Sequence, residues 1–201
     1  MQLSSYGYEK VKGYEGYHRA LPDGSCTAYQ TRYRGKLDKP TIGWGCTEGI
    51  RMGMVWTQDQ AEEGLRREME KIEKAVTRLV TVDLNQNEFD ATCLLTYNIG
   101  EGALSKSTFL KRLNKNDRKG AAIAMQWFNK VGQYPESGLI SRRASEAALF
   151  LKPVEKPKEP YMPQTVSETK PVSKPAVAVG AATAATVAVQ AAPTFIPPAV
   201  P

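Results

Sequence analysis

A glutamate followed by a glycine, and a later Thr-Ile-Gly-Trp-Gly run, are the residues of this chain best suited to acid-assisted hydrolysis. Glu15 is flanked by aromatic residues and by Gly16, and the run spans residues 41–45. A carboxyl group in apolar surroundings can deliver a proton to a leaving group. The hydroxyl of Thr41 can both donate to and accept from a water molecule. Taken alone, Glu15 fits a surface position at a helix end equally well, and Thr41 fits an ordinary strand.

Apolar periodicity and turn residues predict the elements that must position these side chains. A helix is predicted at 5–15, and a glycine-rich region follows with short strands at 27–33 and 41–44. A capping-box pattern at Thr57 opens a helix with one apolar stripe. The next helix carries Phe89 and stops at Gly100. Three further helices are predicted, at 107–113, 119–129 and 139–151, and Trp127 and Phe128 are predicted to lie in the core.

Length and charge limit what the chain can be. Its 201 residues suffice for one domain of ordinary size plus a tail, and 41% hydrophobic residues can form a real core. The net charge of +6 favours anionic partners such as nucleic acid, acidic lipid or cell wall, without choosing among them.

Cysteines and histidine give no sign of a metal site. The three cysteines and one histidine lack metal-ligand spacing, so neither a metal nor a cofactor is predicted. Reduced thiols are the expected state, and a bridge between Cys26 and Cys46 remains an alternative. The first twelve residues have no apolar run, which predicts that no signal peptide is present.

The composition changes after Leu151. Residues 152–175 are dominated by Lys, Pro, Glu and Ser, which predicts a linker. Residues 176–201 are rich in Ala, Val and Pro. This segment is shorter and less apolar than a membrane span, so a flexible tail is favoured over a weakly membrane-contacting one.

The order of these motifs resembles the phage-type lysozymes, the muramidase endolysins of glycoside hydrolase family 24. The resemblance runs from about Tyr14 to Leu151. Beyond the first two motifs, it is carried by three later segments: 84–100, 107–114 and the Gly-Leu-Ile-Ser-Arg-Arg run with Glu146. It implies an α+β fold, in which a small antiparallel β-hairpin lobe and a larger helical lobe are joined by a long helix.

The resemblance also implies roles for individual residues. Glu15 would be the general acid, Thr41 would help to hold the attacking water, and Arg142 would pair with Glu15. Tyr97 and Asn98 would approach the sugar. Without the resemblance, Arg142 and Arg143 would be interpreted as a solvated basic helix face.

The second catalytic position departs from the family pattern. Family members commonly carry an aspartate two residues after a tyrosine in the first hairpin strand, and Thr31 occupies that place here. Asp23 and Asp38 are competing candidates, although Asp23 also suits a turn and Asp38 a solvated loop. With Thr31 there, an inverting mechanism in which two hydroxyls position water is plausible.

The implied function is cleavage of the β-1,4 bond between N-acetylmuramic acid and N-acetylglucosamine in bacterial peptidoglycan, for host-cell lysis. The expected protein is a monomer with no nucleic-acid partner. It is made in the host cytoplasm and released to the wall through another protein. Two alternatives stay open. One is a catalytically inactive peptidoglycan-binding module, and the other is a membrane-permeabilising protein that acts through its C-terminal tail.

Overall fold

The computed structural model describes residues 1–33 and 35–154. Seven helices lie in this part of the chain: α1 (Ser5–Glu15), α2 (Gln58–Leu79), α3 (Gln86–Ile99), α4 (Glu101–Lys106), α5 (Thr108–Leu113), α6 (Arg118–Met125) and α7 (Ser137–Leu151). Six two-residue strands accompany them: β1 (Cys26–Thr27), β2 (Arg32–Tyr33), β3 (Lys36–Leu37), β4 (Val55–Trp56), β5 (Lys130–Val131) and β6 (Tyr134–Pro135).

The strands form three antiparallel pairs. β1 pairs with β4, β2 with β3, and β5 with β6. The predicted strand at 27–33 is therefore interrupted, and residues 41–44 contribute only isolated bridges, Tyr29 with Thr41 and Ile42 with Cys46. Gly43 and Gly45 have left-handed φ angles of +61° and +96°, so the backbone turns back on itself there. That turn is why the predicted second strand is a tight loop.

Two capped helices build the centre of the core. Thr57 and Gln60 form the predicted capping box at the start of α2, and Asn85 and Glu88 form another at the start of α3. Every residue from 88 to 96 is buried. This burial follows from the position of α3, which packs against α1, α2, α4 and α7.

The first residues of the chain are attached to this core. The backbone N–H of Leu3 donates to Glu73 Oε1 on α2 at 2.8 Å. The N–H of Ser4 donates to Asp90 Oδ1 on α3 at 3.1 Å, and the Ser4 hydroxyl also donates to Asp90. The Ser4 hydroxyl in turn caps α1 by accepting from Gly7 N. The start of α1 is thus fixed by two carboxylates from other helices.

The predicted helix at 119–129 is shorter in the structure. It ends at Met125, and a turn followed by the β5–β6 hairpin replaces its last residues. Because the helix ends early, Trp127 is 55% exposed, and the prediction that it lies in the core was wrong. Phe128 is half-buried and packs against the core. Helix α4 and the β5–β6 hairpin were not predicted.

All three cysteines are buried and unpaired, so the Cys26–Cys46 bridge is not formed. In the described part of the chain no helix has both the length and the apolarity needed to cross a bilayer. Almost all of the predicted linker at 152–175 and the whole tail at 176–201 lie outside the described residues, which end at 154.

Candidate active site

The end of α1 places Glu15 beside a sharp turn. Gly16 follows it with a φ of +69°, and its N–H closes the helix by donating to Lys12 O at 2.9 Å. Glycine adopts this left-handed conformation without the steric cost that a side chain would bring. The helix therefore stops at Glu15, and the carboxyl group projects from its last turn.

Arg142 on α7 holds one oxygen of this carboxyl group. Its Nη1 donates to Glu15 Oε1 at 2.8 Å. The Arg142 side chain is 9% exposed and that of Glu15 is 23% exposed, so the contact is only partly solvated. The guanidinium also lies 4.6 Å from the ring centroid of Tyr14, the residue before the acid. Charge-assisted bonds of this kind fix orientation as well as adding energy. The predicted pairing of Arg142 with Glu15 is present in the structure.

The loop of residues 41–45 covers the second oxygen. A Cβ built on Gly45 would lie 3.4 Å from Glu15 Oε2 and 3.3 Å from the Tyr97 hydroxyl. The Trp44 ring packs on Tyr17 at 4.7 Å between centroids, which holds the loop against the residues after α1. Glycine at position 45 lets the backbone approach the acid closely.

Tyr97 supports this loop from α3. Its hydroxyl donates to Trp44 O at 2.9 Å. Burial raises the pKa of Tyr97, with a smaller contribution from nearby Glu15, so the phenol stays a donor at neutral pH. In the structure the Tyr97 hydroxyl contacts the protein itself. A contact of Tyr97 with sugar stays a prediction from sequence.

Thr41 is anchored by its backbone and has free lone pairs. Its N–H and C=O exchange hydrogen bonds with Tyr29 at 2.8 and 2.9 Å. Its hydroxyl donates to Lys39 O at 3.1 Å. With its proton used in that bond, the oxygen can still accept from another donor such as water. Burial raises the pKa of Tyr29, and the charge of Glu15 adds to the effect, which places the Tyr29–Thr41 pair in the electrostatic field of the acid.

Two of the three candidates for the second catalytic position lie together. The Thr31 hydroxyl donates to Asp38 Oδ2 at 2.6 Å, and the Asp38 N–H donates to Thr31 O at 2.9 Å. Asp23 lies in a separate turn, where its Oδ1 accepts from the N–H and the hydroxyl of Ser25. These hydrogen bonds lower the pKa of Asp23 and match the turn interpretation of that residue.

A buried charge cluster lies on α7 behind the acid. Glu146 is fully buried, and its Oε1 accepts from Arg142 Nε at 3.0 Å. Arg143 is also fully buried, and its Nη2 donates to Asn98 Oδ1 at 2.6 Å. Both arginines are therefore buried, unlike the solvated helix face that would be assumed without the resemblance. The signal that could have identified the cluster is Glu146 itself, three and four positions after two arginines and so on the same helix face.

Comparison with known proteins places these residues in context. The Phage lysozyme family model matches residues 24–146. An endolysin of Acyrthosiphon pisum secondary endosymbiont phage 1 is 38% identical over 154 residues, which are 75% of this chain and 98% of that protein. The endolysin structure from Escherichia coli O157:H7 phage FAHEc1 is 39% identical with a TM-score of 0.65, and the match covers 78% of this chain and 98% of that one. A SAR-endolysin of Pseudomonas phage phiKMV is 34% identical over 127 residues, 61% of this chain and 79% of that protein.

Proposed function

The chain belongs to the phage lysozyme family, and we propose that Glu15 is the general acid with which this glycoside hydrolase cuts peptidoglycan. Membership in the family gives the enzyme class, the lytic role and the substrate polymer, and on these points the predictions from sequence are confirmed. The family model begins at residue 24, so the role of Glu15 has to be argued from the site.

The contact between Arg142 and Glu15 is the observation that carries the proposal. Arg142 has only donors, so Glu15 Oε1 is engaged as an acceptor at 2.8 Å. A proton on the carboxyl group must then reside on Oε2, which faces Gly45. Oε2 would give this proton to the glycosidic oxygen as the bond from that oxygen to the sugar's C1 breaks.

The second half of the reaction needs a water molecule that is oriented toward C1. Thr41 offers an acceptor oxygen, because its hydroxyl proton is bound to Lys39 O. Thr31 offers a second one, because its own proton is bound to Asp38. We propose that these two hydroxyls orient the water. As the new bond to C1 forms, Thr31 takes one proton from the water and passes its own hydroxyl proton to Asp38 Oδ2. Attack from the face opposite the leaving group would invert the anomeric centre.

The experiment that tests the role of Glu15 is clearing of purified peptidoglycan by the wild-type chain and by Glu15→Gln. Glu9→Gln is the matched control, since Glu9 lies on the same helix and is 74% exposed. Loss of a general acid lowers turnover by about 10²–10⁴-fold. We expect that loss for Glu15→Gln, none for Glu9→Gln, and reducing N-acetylmuramic acid ends in the wild-type products.

Two outcomes would contradict the proposal. Equal clearing by wild type and Glu15→Gln would remove this residue from the mechanism. Binding to peptidoglycan without clearing by the wild type would favour the inactive binding module. The monomeric state, a membrane contact by the tail and release through another protein stay predictions from sequence.

A further inference from the structure

The cluster on α7 contacts two parts of the site with two neighbouring arginines. Arg142 donates to Glu15, and Arg143 donates to Asn98 at the last turn of α3. Glu146 lies between them: its Oε1 accepts from Arg142 and its Oε2 lies 2.7 Å from Arg143 Nη1. One buried carboxylate therefore holds both guanidinium groups.

Arg143 depends on Asn98 for hydrogen bonding. Its Nη1 approaches Glu146 closely but not in a hydrogen-bonding orientation, and its Nε finds no acceptor among the described residues. The bond from Nη2 to Asn98 Oδ1, at 2.6 Å, is the hydrogen bond that the described part of the chain gives this buried side chain. A buried guanidinium is costly unless it is paired and hydrogen-bonded. The orientation of the Asn98 amide that accepts from Arg143 is therefore strongly favoured over its other orientations.

The bond also decides which way the Asn98 amide faces. Arginine has no acceptor, so the oxygen of the amide must face Arg143 and the NH₂ group must face away from it. Asn98 is exposed, so its NH₂ group is presented to solvent. Asn98 accepts from Arg143, whose neighbour Arg142 holds Glu15, so the amide lies beside the arginine pair that contacts the acid.

We propose that Arg143 is a positioning residue of the hydrolytic site, which turns the Asn98 amide so that its NH₂ group donates to an acceptor oxygen of the substrate. The acceptor class is a carbonyl oxygen, such as that of an acetamido group on the sugar. This inference rests on the proposed function, because it assumes that glycan binds beside Glu15. It adds a specific donor and the residue that orients it.

The variant Asn98→Asp separates binding from folding. A carboxylate has the same shape as the amide and still accepts from Arg143, so the buried guanidinium keeps its partner. It has no N–H group, so the donor for substrate is lost. Asn87→Asp is the matched control, since Asn87 lies on α3 about 16 Å away at the other end of the helix and makes the same change in charge.

The measurement is kcat and apparent KM on purified peptidoglycan, together with the thermal midpoint of each variant. We expect Asn98→Asp to lower kcat/KM by about tenfold or more, mainly through KM, with no loss in midpoint. Asn87→Asp should match the wild type in kcat/KM, while its midpoint falls because the bonds from Asn87 Nδ2 to Lys152 O and Pro153 O are lost. A kcat/KM for Asn98→Asp within twofold of the control would overturn the proposal, since a merely structural Asn98 tolerates this change.

A second variant tests the part played by Arg143. Arg143→Met frees the amide to rotate, and kcat/KM should fall while Glu15 keeps its bond to Arg142. If Arg143 acts through Asn98, Arg143→Met should lower kcat/KM by a clearly smaller factor in the Asn98→Asp background than in the wild type. An equal fold loss in kcat/KM from Arg143→Met in both backgrounds would contradict a positioning role.

Binding to insoluble peptidoglycan in the Glu15→Gln background keeps this test apart from the question of the acid. We expect Asn98→Asp to weaken sedimentation with peptidoglycan by about tenfold there as well. Cleavage by Glu15→Gln at the wild-type rate would refute the role of Glu15, and the binding comparison would still test the Asn98 donor. Unchanged binding would refute the Asn98 donor and leave the role of Glu15 intact.

Discussion

Arg142→Met should destabilise the protein mainly through the loss of its contact with Glu146, and less through the loss of its contact with Glu15. Arg142 serves two carboxylates, and they differ in solvation: Glu146 is fully buried, whereas the Glu15 side chain is 23% exposed. Removing one partner of a buried ion pair costs about 3–5 kcal/mol when the other charge is left uncompensated. Glu146 loses its hydrogen bond from Arg142 but keeps Arg143 Nη1 at 2.7 Å, so we expect a loss near the lower end of that range. The exposed share of Glu15 limits its own loss to about 1 kcal/mol or less. Most of the cost therefore comes from Glu146.

Urea unfolding followed by circular dichroism at pH 7 would measure this change in the free energy of unfolding. For a domain of this size, a loss of 3–5 kcal/mol corresponds to a fall in melting temperature of roughly 6–20 °C. The double variant Arg142→Met, Glu146→Gln leaves the buried Arg143 without its carboxylate, so we expect it to be no more stable than Arg142→Met. Peptidoglycan clearing should stay low in both variants, since Glu15 has lost its anchor.

The destabilisation should also depend on pH. Burial raises the pKa of Glu146, and the two arginines oppose that rise. Without Arg142 the pKa of Glu146 rises further above its unfolded value, so Glu146 binds its proton more tightly in the folded state. Stability is then retained at low pH and lost as the pH rises. Arg142→Met should therefore cost less at pH 5 than at pH 8. A loss below about 1 kcal/mol, a double variant more stable than Arg142→Met, or clearing at the wild-type rate by either variant would each refute this reasoning.

Two further predictions concern stability alone. Gly13→Ala should stabilise the protein by about 0.5–1 kcal/mol, because the added Cβ meets nothing within 4 Å. Gly64→Ala should destabilise it by about 1–3 kcal/mol, because the added Cβ would lie 2.6 Å from the Trp56 ring. Urea midpoints would test this pair, and a shift of the same sign in both would contradict the packing argument. Burial raises the pKa of Cys46 to about 11 from 9.0, so the wild type should lose roughly 2 kcal/mol of stability between pH 9 and 11 as an unfolded thiol ionises more readily. Cys46→Ala should not show this loss of stability between pH 9 and 11. Parallel curves of stability against pH for the two proteins would contradict the prediction.

The helical framework and the lysozyme-like α+β fold were predictable because their signals are local. The cap at Thr57, the glycines at 16 and 100, and the apolar stripe of α2 each act within a turn or two of helix. The confirmed fold class followed from the resemblance to the phage-type lysozymes, which the order of the motifs carries. The short strands were less predictable, since residues 41–44 satisfy their hydrogen bonds through a tight loop whose shape depends on two glycines.

The contact between Glu15 and Arg142 was predictable from the resemblance. Arg142 and Arg143 are neighbours, and no local pattern says whether one, both or neither is buried. Their burial depends on α3, which supplies Asn98 and the Leu94 carbonyl as partners. Trp127 was assigned to the core on its size alone, whereas the early end of α6 exposes it. The burial of each of these residues depends on contacts between helices that are distant in sequence, and a single sequence does not show such contacts.

The attachment of the first residues has a practical consequence for engineering. Leu3 is buried, and its N–H and that of Ser4 are bound to Glu73 and Asp90, at the opposite end of the helix that carries Glu15. Met1 is 57% exposed, so an affinity tag or fusion partner can be joined there through a flexible spacer. Trimming through Ser4 instead removes the cap of α1, the Leu3 N–H that donates to Glu73, and the two Ser4 donors to Asp90, which keeps only Gln86 among the described residues. The orientation of Glu15, the proposed general acid, would then be lost through a deletion that ends eleven residues before it.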